Sequence, residues 1–279
     1  MNLHFYKMHG IGNDYVYVNG FSETVENPSY VAKVVSDRHF GIGSDGLILM
    51  LPSKIADVRM QMFNADGSEG KMCGNGIRCV GKLAYLTGVA KKETITVETL
   101  SGIKTLKLHI ENENVKNVTV DMGAPELSPS KIPVKSDKQQ IINEPLNIDG
   151  NTYNITCVSM GNPHAVIFTN GIDDLELEKI GPKFEHNDIF PESVNTEFVE
   201  IIDDHTLKMR VWERGSGETW ACGTGACATV VAACLNGHCK QGDEVTVHLR
   251  GGDLSIVWNT ETLFMTGGAD LVFTGDIEI

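Results

Sequence analysis

The sequence has no apolar run near the roughly 20 residues that a bilayer-spanning helix requires, so no transmembrane segment is expected. Basic residues are scarce beside acidic ones, 23 against 37, and the formal net charge is −14. That balance argues against a nucleic acid or an anionic membrane as partner, because both call for a basic surface. It says little about a small substrate, since one arginine in a cleft can outweigh the global field locally. No CxxC pair occurs, and the seven cysteines are scattered and odd in number. This fits neither a secreted disulfide framework nor the common zinc spacings, so no metal site is expected. The opening MNLHFYKMHG shows no basic n-region, long apolar stretch or small-residue cleavage site, and no secretory signal is expected. The default reading is a soluble protein of a reducing cytoplasm.

What is present alternates short strands with a few helices. Leu3–Met8 and Tyr15–Val18 read as strands joined by a glycine-rich loop. Asn27-Pro28 starts a helix, Asn as N-cap and Pro at the first helical position, running to about Asp37. Strands follow near Leu47–Leu51 and Val58–Phe63, then a helix over Gly74–Leu86 closed by Gly88, then strands at Thr94–Val97, Thr105–Ile110 and Val118–Asp121. Ser128–Pro145 has the composition of a linker or surface excursion.

The second half repeats landmarks of the first at a constant offset. Gly12-Asn13 recurs as Gly161-Asn162, Glu69 as Glu218, and Cys73-Gly74-Asn75-Gly76 as Cys222-Gly223-Thr224-Gly225, each 149 residues on. A shared offset at three landmarks indicates an internal duplication. The expected organisation is an N-terminal half over 1–122 plus 268–279 and a C-terminal half over 123–267. The fold class is α+β, two pseudo-symmetric halves facing one another.

Each CGxG motif puts a cysteine just ahead of a helix. A helix N-terminus has unpaired N–H groups and a positive dipole end. A thiol there is expected to be exposed and lowered toward neutrality in its pKa. If the halves face each other, two such thiols approach one carbon from opposite sides. One thiolate takes a Cα proton, the other thiol returns one, and aligned N–H groups hold the charge that develops on the carboxylate. The bland alternative, a small buried hydrophobe, suits Cys79, Cys157, Cys227 and Cys234. Cys239 lies in a polar turn and is given no role.

At these residues the sequence resembles the diaminopimelate epimerase family. The carrying segments are MHGIGNDYVYV, DRHFGIGSDGLI, MFNADGSEGKMCGNGIRC, SMGNPHAVIF, VNTEFVEI and RVWERGSGETWACGTGACA, spread over nearly the whole chain. The resemblance implies a mostly antiparallel sheet or barrel around a central helix in each half, with the active site in the cleft between halves. It implies interconversion of LL- and meso-diaminopimelate without pyridoxal phosphate, other cofactor or metal, in lysine and peptidoglycan precursor biosynthesis, by a cytoplasmic homodimer. Mapped by motif, Cys73 and Cys222 are the acid–base pair. Gly74, Asn75, Gly223 and Thr224 supply helix-end donors. Asn13, Asn64, Asn162, Asn195, Glu213 and Arg214 bind substrate, and His164 with Glu213 adjusts the thiols.

Read from the residues alone, several of these have other uses. Asn13 and Asn162 could cap turns, His164 could be a packed strand histidine, and Glu213-Arg214 could be an exposed charged turn. Gly46 stands where some family members have glutamine; a water or neighbouring Ser44 is a candidate substitute for that contact, or the contact is dispensable. Two rival functions remain open. A proline or hydroxyproline racemase would use the same cysteine pair but lack a distal amino-carboxylate to recognise. A redox thiol protein or a non-catalytic anion-binding module belongs to a different class.

Overall fold

The computed structural model describes residues 2–279. In chain order the first half holds β1 (Asn2–Gly10), β2 (Asn13–Asn19), α1 (Pro28–Ser36), β3 (Gly46–Leu51), β4 (Val58–Asn64), β5 (Glu69–Gly70), α2 (Gly74–Leu86), β6 (Thr94–Thr99), β7 (Gly102–Glu111) and β8 (Asn114–Gly123). The rest of the chain holds β9 (Glu144–Ile148), β10 (Asn151–Ser159), β11 (Pro163–Phe168), α3 (Leu177–Glu185), β12 (Asn195–Asp203), β13 (Thr206–Glu213), β14 (Gly217–Thr219), α4 (Gly223–Leu235), β15 (Glu244–Leu249), β16 (Gly252–Trp258), β17 (Leu263–Gly268) and β18 (Asp270–Glu278). Chain contacts separate two compact units, residues up to 121 with 266–279, and residues 122–265. In the first unit the final strand β18 runs antiparallel along β1, with Leu3 opposite Ile277.

The duplication is carried by the elements themselves. Helices α1 and α2 start at 28 and 74, their counterparts α3 and α4 at 177 and 223, and β1 and β10 at 2 and 151, each pair 149 apart. Strand register repeats too. The parallel pair Val16↔Leu47 recurs as Ala165↔Thr196, and the antiparallel pair Leu47↔Phe63 as Thr196↔Trp212. One residue is gained after α4, so Ile95↔Leu106 in β6–β7 recurs as Val245↔Ile256, 150 residues on.

Each unit wraps one buried helix. α2 packs on β1, β2, β3, β4, β6 and β7, and α4 on β10, β11, β12, β13, β15 and β16. α4 is suited to this by composition, since Ala, Val and Cys clothe it all round and Ala226 to Ala233 are fully enclosed. Burying Val230 and Val231 contributes roughly 1.5–3 kcal/mol each. α2 differs in burying Arg78 and Lys82, which are tolerated because they donate to carbonyls of the closing strand region, Gly268 O at 3.1 Å and Ala269 O at 2.7 Å. The outer sheet faces carry the other two helices. In α1, Asn27 Oδ1 accepts from Tyr30 N, Pro28 fills the first turn, and Val31 and Val35 pack on Val16, Val18, Leu47 and Leu49. α3, which has no side-chain cap, packs Phe184 against Phe198 and Tyr153. With both faces of the sheet occupied, the N-termini of α2 and α4 are held at strand ends, where loops carry the polar residues. Among the described residues no helix is long and apolar enough to cross a membrane.

Candidate active site

Cys73 and Cys222 are the N-caps of α2 and α4. Both have extended backbone, and each sulfur accepts a hydrogen bond at 3.3 Å from the N–H three residues on, Gly76 and Gly225. The sulfur thus takes up one of the first-turn N–H groups that a helix cannot satisfy internally. The thiols are less open than expected: Cys73 is half-buried and Cys222 only 4% exposed. Cys79, Cys157 and Cys227 are buried in packing positions, whereas Cys234 is half-buried. Cys239 follows α4 in a turn as expected but is buried there.

In the first unit the Cys73 thiol donates to Asn13 Oδ1 at 3.3 Å. The amide is held in that sense because its Nδ2 donates to Asp45 Oδ2 at 2.7 Å. Asp45 also accepts from Asp14 N and from Arg38 Nη2, and the same Nη2 bridges to Asp14 Oδ1 at 2.9 Å. Burial and the neighbouring Asp14 charge push Asp45 up. On Asp14 burial is outweighed by Arg38 and Lys7, which hold it down. Asn13 therefore reaches the thiol instead of merely capping its turn. Asn75 is buried and accepts from Arg78 Nη1 at 3.1 Å, whereas Asn64 is exposed and donates to Ser68 Oγ. Ser44 does not substitute for a side chain at position 46. It is 3% exposed and spends its hydroxyl on Gly46 O at 2.9 Å.

The second unit arranges different chemistry round the equivalent positions. Thr224 Oγ1 lies 3.6 Å from Cys222 Sγ and accepts from Asn162 Nδ2 at 3.2 Å. Asn162 Oδ1 faces His164 Nε2 at 3.1 Å, and His164 Nδ1 faces Glu197 Oε1 at 2.6 Å. Glu213 ends β13 with its carboxyl turned inward. Burial pushes it up, and hydrogen bonds from Thr219 and the Cys222 thiol, with His164 nearby, offset this only in part. Asn195 is enclosed, with both amide ends on backbone: Nδ2 donates to Pro163 O and Oδ1 accepts from Arg214 N, each at 3.0 Å. Arg214 is half-buried and donates to Glu192 O at 2.8 Å. His164 and Glu213 are thus gathered at Cys222, and Asn195 sets the backbone from which Arg214 projects.

One expectation is overturned. The helix end does not bring Cys222 toward neutrality; its thiol is pushed well above the ordinary range. Burial is the largest cause, and the carboxylates of Glu213 and Glu197 add to it, against which Thr224 and the Gly225 N–H are weak. In the free protein alkylation of Cys222 should therefore rise about tenfold per pH unit through pH 9, following the thiolate fraction. Rates by iodoacetamide labelling and peptide mass mapping check this; a plateau below pH 8.5 would contradict it.

Sequence reading missed Asp45, Arg38 and Glu197. The first two sit in the same segments as recognised residues, and only the fold shows that they lock Asn13. Glu197 had a visible signal, a carboxylate directly before the apolar pair Phe198-Val199 of β12. Among the described residues no cluster of three His, Cys, Asp or Glu side chains could hold a metal ion.

Comparison with known proteins places this geometry. The family model for diaminopimelate epimerase matches residues 5–128 and 156–272. A diaminopimelate epimerase of Acetivibrio thermocellus is 59% identical over 279 residues, covering 99% of each chain. One of Methanococcus maripaludis strain S2 is 56% identical over 279 residues, covering 99% of this chain and 100% of its own. Among solved structures, a Bacillus anthracis phenazine biosynthesis protein of the PhzF family has a TM-score of 0.72 at 16% identity, with complete coverage of both chains. A hydroxyproline epimerase from Agrobacterium vitis has 0.71 at 13%, covering 99% of this chain and 91% of its own. The last two show a shared fold.

Proposed function

The chain belongs to the diaminopimelate epimerase family, and from that premise we propose that Cys73 and Cys222 are the two acid–base groups that invert one Cα of diaminopimelate. The enzyme is an isomerase that interconverts the LL and meso forms. The observation that carries the assignment is the repeated cap: two cysteines, 149 residues apart, each with its sulfur on the first turn of the one helix its unit buries.

The reaction needs a base on one face of the carbon and an acid on the other. A Cα proton is weakly acidic, and the carbanion is supported only if its charge spreads onto the α-carboxylate. We assign that support to the first turns at Gly74-Asn75 and Gly223-Thr224, whose N–H groups and dipole ends favour an anion. Cys222 rests as the thiol, because burial and two carboxylates oppose its ionisation. It is therefore the proton donor of the resting enzyme, and a thiolate at Cys73 is the base for the isomer that Cys222 reprotonates. Asn13 accepts from the Cys73 thiol and so steadies that residue when protonated.

The distal amino-carboxylate is assigned to Arg214, with Asn64 and Asn162 as amide partners; a guanidinium grips a carboxylate bidentately and an amide both donates and accepts. Asn195 acts by fixing the Arg214 backbone. Proline-type substrates offer nothing for these groups. The purified protein, with no cofactor added, should form meso- from LL-diaminopimelate and leave proline and 4-hydroxyproline unchanged, followed by chiral chromatography. Turnover of proline instead would keep the two-thiol chemistry and refute the distal assignment. We place the enzyme in the cytoplasm as a homodimer, for which the exposed Val272 and Phe273 on β18 offer apolar surface.

A further inference from the structure

Strand β12 buries a carboxylate completely. Glu197 is 0% exposed, its Oε1 lies 2.6 Å from His164 Nδ1, and its Oε2 finds no hydrogen-bond partner among the described residues. A Cβ placed on Gly225 would lie 2.7 Å from Glu197 Oε1 and 3.1 Å from Cys222 Sγ. Carboxylate and thiol thus meet at the gap this glycine leaves in the first turn of α4.

The duplication supplies an internal comparison. At the 149-residue offset Glu197 corresponds to Ile48 and His164 to Tyr15. A Cβ on Gly76 would meet Ile48 Cδ1 at 2.7 Å and Cys73 Cβ at 3.4 Å. Beside Cys73 the slot holds hydrocarbon; beside Cys222 it holds an acid on an imidazole. The fold builds this slot without a carboxylate, so Glu197 needs another reason to be there.

Proton accounting supplies one. A buried carboxylate with one oxygen unpartnered is too costly as a lone anion, so the Glu197–His164 pair is neutral overall and holds two protons. One lies between Oε1 and Nδ1, the other on Nε2. The Nε2–H donates to Asn162 Oδ1, Asn162 Nδ2 donates to Thr224 Oγ1, and the Thr224 hydroxyl hydrogen is left for Cys222 Sγ. With a single proton on the pair, held at Nδ1 by the carboxylate, Nε2 would be an acceptor and the Asn162 amide would turn over. Thr224 would then donate to Asn162, and its oxygen would face the thiol as an acceptor.

We propose that Glu197 is a positioning residue for Cys222: by keeping a proton on Nε2 of His164 it fixes the direction of the hydrogen bonds through Asn162 and Thr224, so that the last hydrogen points at the sulfur. This rests on Cys222 being a reacting thiol. The two directions differ by one proton on the pair, and the two-proton one offers the sulfur a donor, which offsets part of the opposition that burial, Glu213 and the charge of Glu197 itself set against the thiolate. The other titratable groups facing the pair are Cys222 itself, Glu213 on β13 and Cys157 on β10, the last kept a thiol by burial and by Glu197.

The test is nitrogen-15 NMR of the unliganded full chain labelled at histidine, with His164 assigned through His164→Gln. Nε2 is expected to carry a proton. Glu197→Ile, which copies the slot of the other unit, should leave a one-proton imidazole populating both tautomers. Its kcat should fall about tenfold, the rate equivalent of one hydrogen bond, with KM within about twofold. Glu197→Gln can donate an amide N–H to Nδ1, so it should restore the Nε2–H form and bring kcat to within about threefold of wild type. A bare Nε2 in wild type, or a Glu197→Ile enzyme with undiminished kcat, overturns the proposal. Failure of the two-thiol reading would show separately, as inversion at near wild-type rate by Cys222→Ala, and would leave the NMR result standing.

Discussion

Cys73→Ala and Cys222→Ala should each lower the rate of inversion by about three orders of magnitude or more, since a positioned acid–base group is worth roughly 10²–10⁴-fold and inversion needs both. The stability change should be small by comparison. Each sulfur accepts one helix-end N–H at 3.3 Å, and replacing an N-cap by alanine costs roughly 1 kcal/mol. Thermal unfolding therefore separates lost chemistry from lost fold. The surviving thiol sharpens the expectation. With one base left, an enzyme can remove a proton from one face and return it to the same face. Each variant should then exchange Cα hydrogen of one stereoisomer only, and the two variants should select opposite stereoisomers. A variant that still inverts at near wild-type rate would remove that cysteine from the mechanism.

Gly46→Ala should be strongly destabilising for a single added methyl. A Cβ there would stand 2.1 Å from Phe63 O and 2.8 Å from Tyr15 Cε1. The obstacle at 2.1 Å is backbone of the adjacent strand, with Gly46 directly opposite Asn64 in the β3–β4 ladder, and it cannot swing aside as a side chain would. Overpacking of this kind costs typically 1–3 kcal/mol, and about 3 or more is expected where a main chain must move. Chemical denaturation checks it, and a change below about 0.5 kcal/mol, the range of ordinary surface substitutions, would show that the strands can separate freely. Activity should fall as well, because Asn64 shares that ladder. Gly76→Ala is the control: its Cβ would meet the flexible end of Ile48 at 2.7 Å, and a milder loss is expected.

The offset of 149 residues, readable from two glycine-flanked motifs and a glutamate between them, carries the arrangement of the α-helices and most strand registers. That much was legible because a duplication repeats local signals: Asn27-Pro28 caps α1 as read, and the helix over Gly74–Leu86 has the bounds read for it from its flanking glycines. What sequence could not supply was burial. A helix N-terminus read alone argues for an easily ionised thiol; the folded chain adds two carboxylates and a dry surround to Cys222, and those prevail. It could not show either that Asn195 spends both amide ends on backbone, since partners 32 and 19 residues away are joined only by the sheet. Glu197 stood in plain view within a motif. Its meaning depends on His164 lying in register beside Asn195 on the neighbouring strand, which no local spacing announces.

The central claim, two thiols acting from opposite faces of one carbon, is tested most directly by isotope incorporation in D2O. LL-diaminopimelate is incubated with wild-type enzyme and both pools are analysed at a few per cent conversion. Two bases predict meso product carrying deuterium at the inverted carbon while recovered LL substrate keeps its protium. Protium retained in the product, or deuterium entering both pools alike, would mean that a single group serves both faces and would contradict the account.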